Sequence, residues 1–118
     1  MAEGKTYLSD TQYGSIALQD TGLAYHAGDV RKLQATFKDS AGTNTDPTTV
    51  TFKIRAGDGS ATTYVYGTDA QLVKSATGVY YVLWTIASRR RHYYRFVGTG
   101  TVAAAEEGEF AVRGSAFA

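Results

Sequence analysis

The sequence predicts an all-β domain, a sandwich of two antiparallel sheets with about seven strands. Thirteen glycines and one proline, together with nine tyrosines, favour short strands joined by tight turns. Strand-like segments recur at short intervals along the chain, each bounded by turn-forming residues. No stretch repeats its apolar residues at the spacing of a helix.

Composition bounds the classes of function. The 118 residues, 43% of them hydrophobic, fit one domain with one core. The absence of cysteine excludes a disulfide framework, a thiolate metal site and a cysteine nucleophile. A net charge of +1 gives no general attraction to nucleic acid or to an anionic membrane. The beginning of the sequence lacks the apolar region of a secretory signal, and no window is long and apolar enough for a membrane helix.

The first 23 residues show no regular hydrophobic period. Four apolar side chains stand out among polar neighbours: Tyr7, Tyr13, Ile16 and Leu18. We predict an arm over residues 1–23, ordered by a neighbouring molecule that these side chains contact, and a sandwich over residues 24–118. The alternative is a first strand around residues 15–19 that pairs within the domain.

Alternating segments place the next strands and a core. Around residue 33 apolar and polar residues alternate, but Val30 is out of phase, which predicts a bulge near Arg31. Residues 50–55 alternate cleanly, and the turn at 57–59 returns the chain as an antiparallel strand. A last strand is expected over residues 109–113. The predicted core comprises Leu33, Ala35, Phe37, Val50, Phe52, Ile54, Phe110 and Val112, with one face of residues 79–84.

Residues 77–97 form the most strand-like stretch, with the only tryptophan and four of the nine tyrosines. We interpret them as two long strands joined by a basic turn at the centre of a sheet. Both faces of residues 79–84 are apolar, so one face is expected to lie under the arm or a partner subunit. Tyr80, two residues after Gly78, is either a tyrosine corner that bonds to upstream backbone or a plain tyrosine.

Several short segments carry a family resemblance. They are residues 28–31, 33–37, 46–52, 58–59, 78–80, 94–96, 98–100, 105–110 and 112–113. As a set they resemble the small immunoglobulin-like proteins encoded among the head and tail genes of tailed bacteriophages and prophages. The resemblance spans residues 28–118 and departs from the family pattern at residues 88–91, where related sequences usually turn with Gly or Pro.

The resemblance implies an immunoglobulin-like sandwich and a non-enzymatic structural role in the virion. The role would be that of a head decoration protein, a head–tail connector or a tail-associated subunit. It further implies other virion proteins as partners, a homo-oligomer on the assembled particle, and assembly in the cytoplasm of the bacterial host. A different class of function is a carbohydrate- or receptor-binding adhesion module. Such a module would display a row of aromatic rings, for which the candidates are Tyr64, Tyr66, Tyr80, Tyr93 and Tyr94.

Signals for catalysis are weak, and we predict neither an enzyme nor a cofactor or metal site. Residues 98–103 fit the dinucleotide pattern G-x-G-x-x-A, but that motif needs a following helix that the sequence does not offer. Glu106, Glu107 and Glu109 are expected on a solvated face. His26 and His92 lie outside any metal-ligand spacing and are expected to be exposed or hydrogen-bonded turn residues.

The basic turn is the remaining functional candidate. Arg89, Arg90 and Arg91 are consecutive, and Tyr93 follows them. Three interpretations stay open, namely a solvated turn, a protein contact and a polyanion contact with bidentate arginines and stacking tyrosines. The remaining charge is balanced, whereas nucleic-acid-binding proteins spread a basic stripe over a face, so no nucleic acid is expected as a partner.

Overall fold

The computed structural model describes residues 5–11, 13–21, 28–57, 59–86 and 90–112, with the backbone alone for 5–11, 20 and 21. These ranges contain nine strands and no helix. The strands are β1 (Lys5–Thr11), β2 (Gly14–Thr21), β3 (Val30–Lys38), β4 (Thr49–Ala56), β5 (Thr62–Val65), β6 (Leu72–Ala76), β7 (Val79–Thr85), β8 (His92–Thr99) and β9 (Ala104–Phe110).

The strands form two antiparallel sheets. The five-stranded sheet has the order β1-β2-β3-β7-β6, and the four-stranded sheet has the order β5-β4-β8-β9. The run β2-β3-β7-β6 has the arrangement of strands A, B, E and D of an immunoglobulin domain, and β4-β8-β9 that of C, F and G. The predicted antiparallel, immunoglobulin-like sandwich is therefore confirmed, and β1 and β2 supply the two strands beyond the predicted seven.

The N-terminal segment is part of the domain. β1 and β2 form a hairpin, and β2 pairs with β3 from Ser15 opposite Lys38 to Thr21 opposite Lys32. The prediction of an arm ordered by a neighbour is wrong for this segment, and the alternative of a strand within the domain holds. The reason is that Ile16 and Leu18 alternate with Ser15 and Ala17, which gives β2 one face for the core.

Residues 77–97 do not lie in a single sheet. β7 is central in the five-stranded sheet, between β3 and β6, whereas β8 is central in the four-stranded sheet, between β4 and β9. The prediction that the two strands share one sheet is therefore wrong, and the basic connection between them crosses from one sheet to the other. Each strand is rich in apolar residues because each has neighbours on both edges and a core on one face.

β3 runs without a bulge, contrary to the prediction. Its pairing with β7 is continuous from Val30 opposite Thr85 onward. Val30 is 51% exposed, and Arg31 takes the inward position, where its guanidinium lies 4.7 Å from the centre of the Phe110 ring. A planar cation that stacks on an aromatic ring can occupy a core position that sequence patterning reserves for apolar residues.

The predicted core is confirmed, because all eight named residues are buried and Tyr80 and Val82 supply the inner face of β7. Phe52 lies at its centre, with ring centres of Tyr64, Tyr94 and Phe96 within 6.3 Å. Others join this core: Ile16, Leu18, Leu72, Ile86, Tyr94, Phe96, Val102 and Ala104.

The remaining strand predictions hold with one shift. The predicted hairpin is confirmed, since β4 and β5 pair antiparallel from Thr51 opposite Val65 to Ile54 opposite Thr62. Asp58, in the middle of the predicted turn, lies outside the described residues. The last strand begins at Ala104 and ends at Phe110, earlier than predicted. Gly108 interrupts the apolar alternation of this strand: a Cβ there would lie 2.5 Å from Cζ of Tyr94, so the strand needs a glycine where the ring packs.

Tyr80 forms a corner of a different kind from the one considered. Its hydroxyl donates to Oδ1 of Asp46 at 3.1 Å, rather than to upstream backbone. The same oxygen accepts the Gly78 N–H at 2.7 Å, and Oδ2 accepts from Nζ of Lys74 at 2.6 Å. The loop between β3 and β4 is thereby fixed to the turn that leads into β7.

Candidate functional site

The outer face of the four-stranded sheet carries a group of charged side chains. Sheet register places Lys53 of β4 opposite Arg95 of β8, which in turn lies opposite Glu107 of β9. In the next row, Arg55 lies opposite Tyr93, which lies opposite Glu109. We call this surface the basic face; it comprises Lys53, Arg55, Arg91, Tyr93, Arg95, Glu107 and Glu109.

Most charges of the basic face already have partners. Arg95 pairs with Glu107 and Arg91 with Glu109, each with 3.1 Å between guanidinium nitrogen and carboxylate oxygen. The Arg55 guanidinium lies 5.0 Å from the centre of the Tyr93 ring and donates to the Gly57 carbonyl. Because these side chains are about half exposed, the pairs add little to stability and instead fix the orientation of the arginines.

Lys53 differs from its neighbours. It is exposed, and within the described part of the chain it makes no hydrogen bond or ion pair. Its cross-strand neighbour on one side is Arg95, a like charge directly opposite, which is an unfavourable arrangement. An open depression of about 210 Å³ lies here, lined among others by Lys53, Arg55, Tyr93 and Arg95.

The basic turn contributes to the same end of the sheet. Arg89 lies outside the described residues. The Arg90 side chain packs beside Gly57, where an added Cβ would meet its Cδ at 3.0 Å. Arg91 joins β9 through Glu109, and Tyr93 is 37% exposed. The structure thus brings two of the four predicted residues, Arg91 and Tyr93, to the basic face and places Arg90 beside the turn after β4. It adds Lys53, Arg55 and Arg95, which only sheet register could reveal.

His92 is buried, whereas the sequence suggested an exposed or hydrogen-bonded turn residue. Its ring stacks on Phe110 with centres 4.9 Å apart and planes 4° from parallel. Nδ1 lies 2.8 Å from the carbonyl oxygen of Arg90, so the expected hydrogen bond is present. Burial lowers the pKa of His92 below its ordinary value, which keeps the ring neutral near pH 7. His26 lies outside the described residues.

The carboxylates and glycines considered for catalysis or cofactor binding take part in ion pairs, hydrogen bonds and a strand connection. Glu107 and Glu109 each pair with an arginine on the outer face, as stated above, and Glu106 accepts the N–H of Glu107. Residues 100–103 make the connection from β8 to β9, and they do not open a helix. Among the described residues no cluster of His, Asp or Glu is suited to a metal ion, and no helix could span a membrane.

The outer face of the five-stranded sheet is apolar at its centre. Leu83 is 58% exposed, and Val73, Val79 and Tyr81 beside it are half-buried. The ammonium group of Lys32 lies 4.7 Å from the centre of the Tyr81 ring. We call Val73, Val79, Tyr81 and Leu83 the apolar face. The expectation that the arm covers it is wrong, because β1 and β2 extend the edge of this sheet instead.

The N-terminal candidates for partner contact separate into different environments. Ile16 and Leu18 are fully buried in the domain's own core, so their prediction as contact residues is wrong. Tyr13 is 62% exposed beside the start of β2, and its carbonyl accepts the Ala103 N–H at 3.3 Å. Tyr7 lies in β1 opposite Leu18, and its side chain is outside the described part.

The tyrosines considered for sugar binding do not form a row. Tyr80 and Tyr94 are buried, and Tyr64 is half-buried against Phe52 and Trp84. Only Tyr66 and Tyr93 are exposed among the five. Tyr66 follows β5 and its ring meets Tyr80 edge-on, whereas Tyr93 lies on the basic face. The predicted aromatic platform is therefore absent from these residues.

Comparison with known proteins supports the fold and goes no further. No family model matches the chain, and no curated protein matches it. Among solved structures, the chain is similar to a DUF4785 family protein from Legionella pneumophila, with a TM-score of 0.58 and 17% identity. The likeness covers 85% of this chain and 28% of the Legionella chain. At this identity it bears on the sandwich fold alone.

Proposed function

We propose that this protein is a non-enzymatic structural subunit of a tailed-phage virion that acts through protein–protein contacts. Its place would be that of a head decoration protein, a head–tail connector or a tail-associated subunit. The virion part of the proposal rests on the resemblance over residues 28–118. The contact part rests on the apolar face.

Several of the segments that carry the resemblance lie close together in the structure, which supports treating them as one combined motif. Asp46 binds Gly78 and Tyr80 through one carboxylate oxygen. A Cβ on Gly98 would lie 2.7 Å from the Phe37 ring and 2.8 Å from Pro47, so β8 approaches this corner only with glycine. Residues from four separate segments of the resemblance thus meet at one corner of the sandwich.

The apolar face is the observation that favours a contact function. Leu83, at 58% exposure, is the most exposed large aliphatic side chain among the described residues, and it lies in a central strand. Tyr81 and Val79 lie on the same side of that strand, and Val73 lies opposite Tyr81 on β6. Exposed apolar residues that lie together on a surface favour a contact site over scattered single ones. Tyrosine adds contact area at low conformational cost.

A subunit of this size gains binding strength from repetition. On a symmetric particle each copy meets several neighbours at once, so contacts that are weak in solution become strong on the assembled surface. We therefore expect a dilute protein that is monomeric or weakly associated, and a homo-oligomeric arrangement once it is on the particle. Assembly would take place in the cytoplasm of the bacterial host.

The proposal is tested with particles made from a phage genome that lacks this coding sequence. Purified protein is mixed with such particles and sedimented, and the bound fraction is measured as a function of concentration. Leu83→Glu places a charge in the apolar face and should weaken binding at least about tenfold, because an unpaired charge would be buried in the contact. Thr68→Glu, on the exposed turn after β5, is the matched control and should bind as the parent does.

Two outcomes would contradict the proposal, one for the virion assignment and one for the apolar face as its contact surface. Absence of co-sedimentation for the parent protein would remove the virion assignment. Equal binding of the parent and Leu83→Glu would leave the virion assignment in place and remove the apolar face as its contact. The structure gives no support to the sugar-binding form of the alternative, because the tyrosines named above do not form a row of exposed rings.

A further inference from the structure

We propose that the basic face is a second contact surface, and that it receives an acidic, extended segment of a protein partner. The inference deepens the proposed function, since it assigns a surface and a partner chemistry to a subunit that acts by contact. The segment would lie across β4 and β8 with a carboxylate in the depression beside Lys53.

The first argument is the energetic cost of the unoccupied surface. Lys53 and Arg95 are directly opposite one another in the central pair of the four-stranded sheet. Like charges in this position repel, and a sheet that served stability alone would place a neutral or acidic residue at one of them. Glu107 already pairs with Arg95 and lines the same depression, so the charge of this pair left without a partner among the described residues is that of Lys53. A carboxylate bound beside Lys53 offsets its repulsion with Arg95, so the arrangement favours an anionic occupant.

The second argument is the geometry of the donors. Arg95 is held by Glu107 at 3.1 Å, and Arg55 is held against Tyr93 and the Gly57 carbonyl. These contacts favour one orientation of each guanidinium group before a partner arrives, which reduces the side-chain entropy lost on binding. Lys53 makes no polar contact in the described part of the chain, so its ammonium is available without breaking a bond. The depression of about 210 Å³ beside it has room for a carboxylate side chain.

The third argument favours an acidic protein over nucleic acid. Glu107 and Glu109 lie along one side of the basic face, where they would repel a continuous phosphate backbone. The Tyr93 ring is 37% exposed and carries the Arg55 guanidinium against it, so it is poorly placed to stack on a base. Glu107 lines the same depression but lies on β9, two strands from Lys53 on β4, so a peptide with separated carboxylates can place a single charge at Lys53.

The test uses the isolated full chain and a short fluorescein-labelled oligo-glutamate peptide as the probe. Fluorescence anisotropy at about 20 mM salt gives the affinity, because weak surface electrostatics is visible at low ionic strength. Amide shifts of the isotope-labelled protein, measured by NMR during the same titration, give the location. We expect the shifts to concentrate at residues 53–55 and 93–95.

Matched variants separate a site from general charge. Lys53→Gln should weaken peptide binding about threefold to fivefold, as expected for loss of one surface ion pair. Lys38→Gln removes the same charge from an exposed position on the other sheet and should leave the affinity unchanged. The double substitution Lys53→Gln with Arg95→Gln should weaken binding about tenfold or more.

Each remaining outcome overturns the proposal. Equal losses in Lys53→Gln and Lys38→Gln would mean that only net charge matters. Shifts that map elsewhere would place the acidic segment on another surface. Tighter binding of a single-stranded oligothymidylate of equal charge at the same residues would replace the acidic protein by nucleic acid. The experiment requires no phage particle, so its failure would leave the particle-binding test of the proposed function unaffected.

Discussion

Replacement of Asp46 by alanine should destabilise the domain by about 2–3 kcal/mol, because it leaves two donors of one corner without their acceptor. The Gly78 N–H and the Tyr80 hydroxyl both donate to Oδ1 of Asp46, and both residues are buried. An abandoned buried donor costs about 1–3 kcal/mol. The lower part of that range applies, because the Asp46 side chain is 37% exposed and water can enter beside it. The exposed ion pair to Lys74 adds little.

The assay is thermal unfolding followed by circular dichroism, for which a change of this size corresponds to roughly 10 °C in a domain of this length. Tyr80→Phe removes one of the two donors and should cost about 1 kcal/mol by itself. In the double variant Asp46→Ala with Tyr80→Phe, the loss of stability should be smaller than the sum of the two separate losses by about 1 kcal/mol, since both substitutions remove the same hydrogen bond. Lys74→Gln is the surface control and should melt close to the parent.

The corner also sets a pH dependence. Hydrogen bonds from Lys74 and from the Gly78 N–H hold the pKa of Asp46 below its ordinary value of 3.8. A carboxyl whose pKa is lower in the folded state stabilises the fold above the unfolded pKa, and this stabilisation is lost as the pH falls through the folded value. Acid unfolding below about pH 4 should therefore be less steep in Asp46→Asn.

A melting temperature for Asp46→Ala within about 2 °C of the parent, or full additivity with Tyr80→Phe, would refute the role of the corner.

Two further substitutions test the core and the buried histidine. Phe52→Ala should lower the free energy of unfolding by about 3–5 kcal/mol, because Phe52 is fully buried and packs on Phe96 with ring centres 4.8 Å apart. A melting temperature close to that of the parent would contradict the core assignment. His92 has a lowered pKa, so protonation favours the unfolded state and stability should fall as the pH drops below 6.5. Between about pH 7 and pH 5, the melting temperature of His92→Phe should fall less than that of the parent. An equal fall in the two proteins would exclude His92 as the source of the pH dependence.

The basic face shows how far the sequence predicts a candidate site. Arg91 and Tyr93 could be found because they lie within one short run of arginines and aromatic residues in the sequence. Lys53 and Arg95 are 42 positions apart in the sequence, and each alone has the pattern of an ordinary solvated residue. They become a site only because β4 and β8 pair in a register that places them directly opposite one another. That register depends on the whole sandwich.

The apolar face shows the same limit in another form. The sequence predicted that residues 79–84 have two apolar faces, and the structure places Tyr80 and Val82 inward and leaves Leu83 exposed. Local pattern could not decide what covers the second side, because that depends on where the N-terminal segment goes. β1 and β2 continue the sheet beyond β3, where β2 is paired on both of its edges and β1 is paired with β2, and so do not cover β7.

The sequence by itself determined the all-β class, the hairpin at residues 57–59 and the buried residues of β3 and β4, because alternation and turn chemistry are local properties. Tertiary structure decided which sheet each strand joins. Two apolar strands joined by a short basic segment have the same pattern whether they pair with each other or with different partners, and here β7 and β8 separate into different sheets. It also decided the places of Arg31 and His92. His92 lies directly opposite Phe110 in the pairing of β8 with β9, whereas Arg31, on the other sheet, meets the Phe110 ring only when the two sheets close over one core.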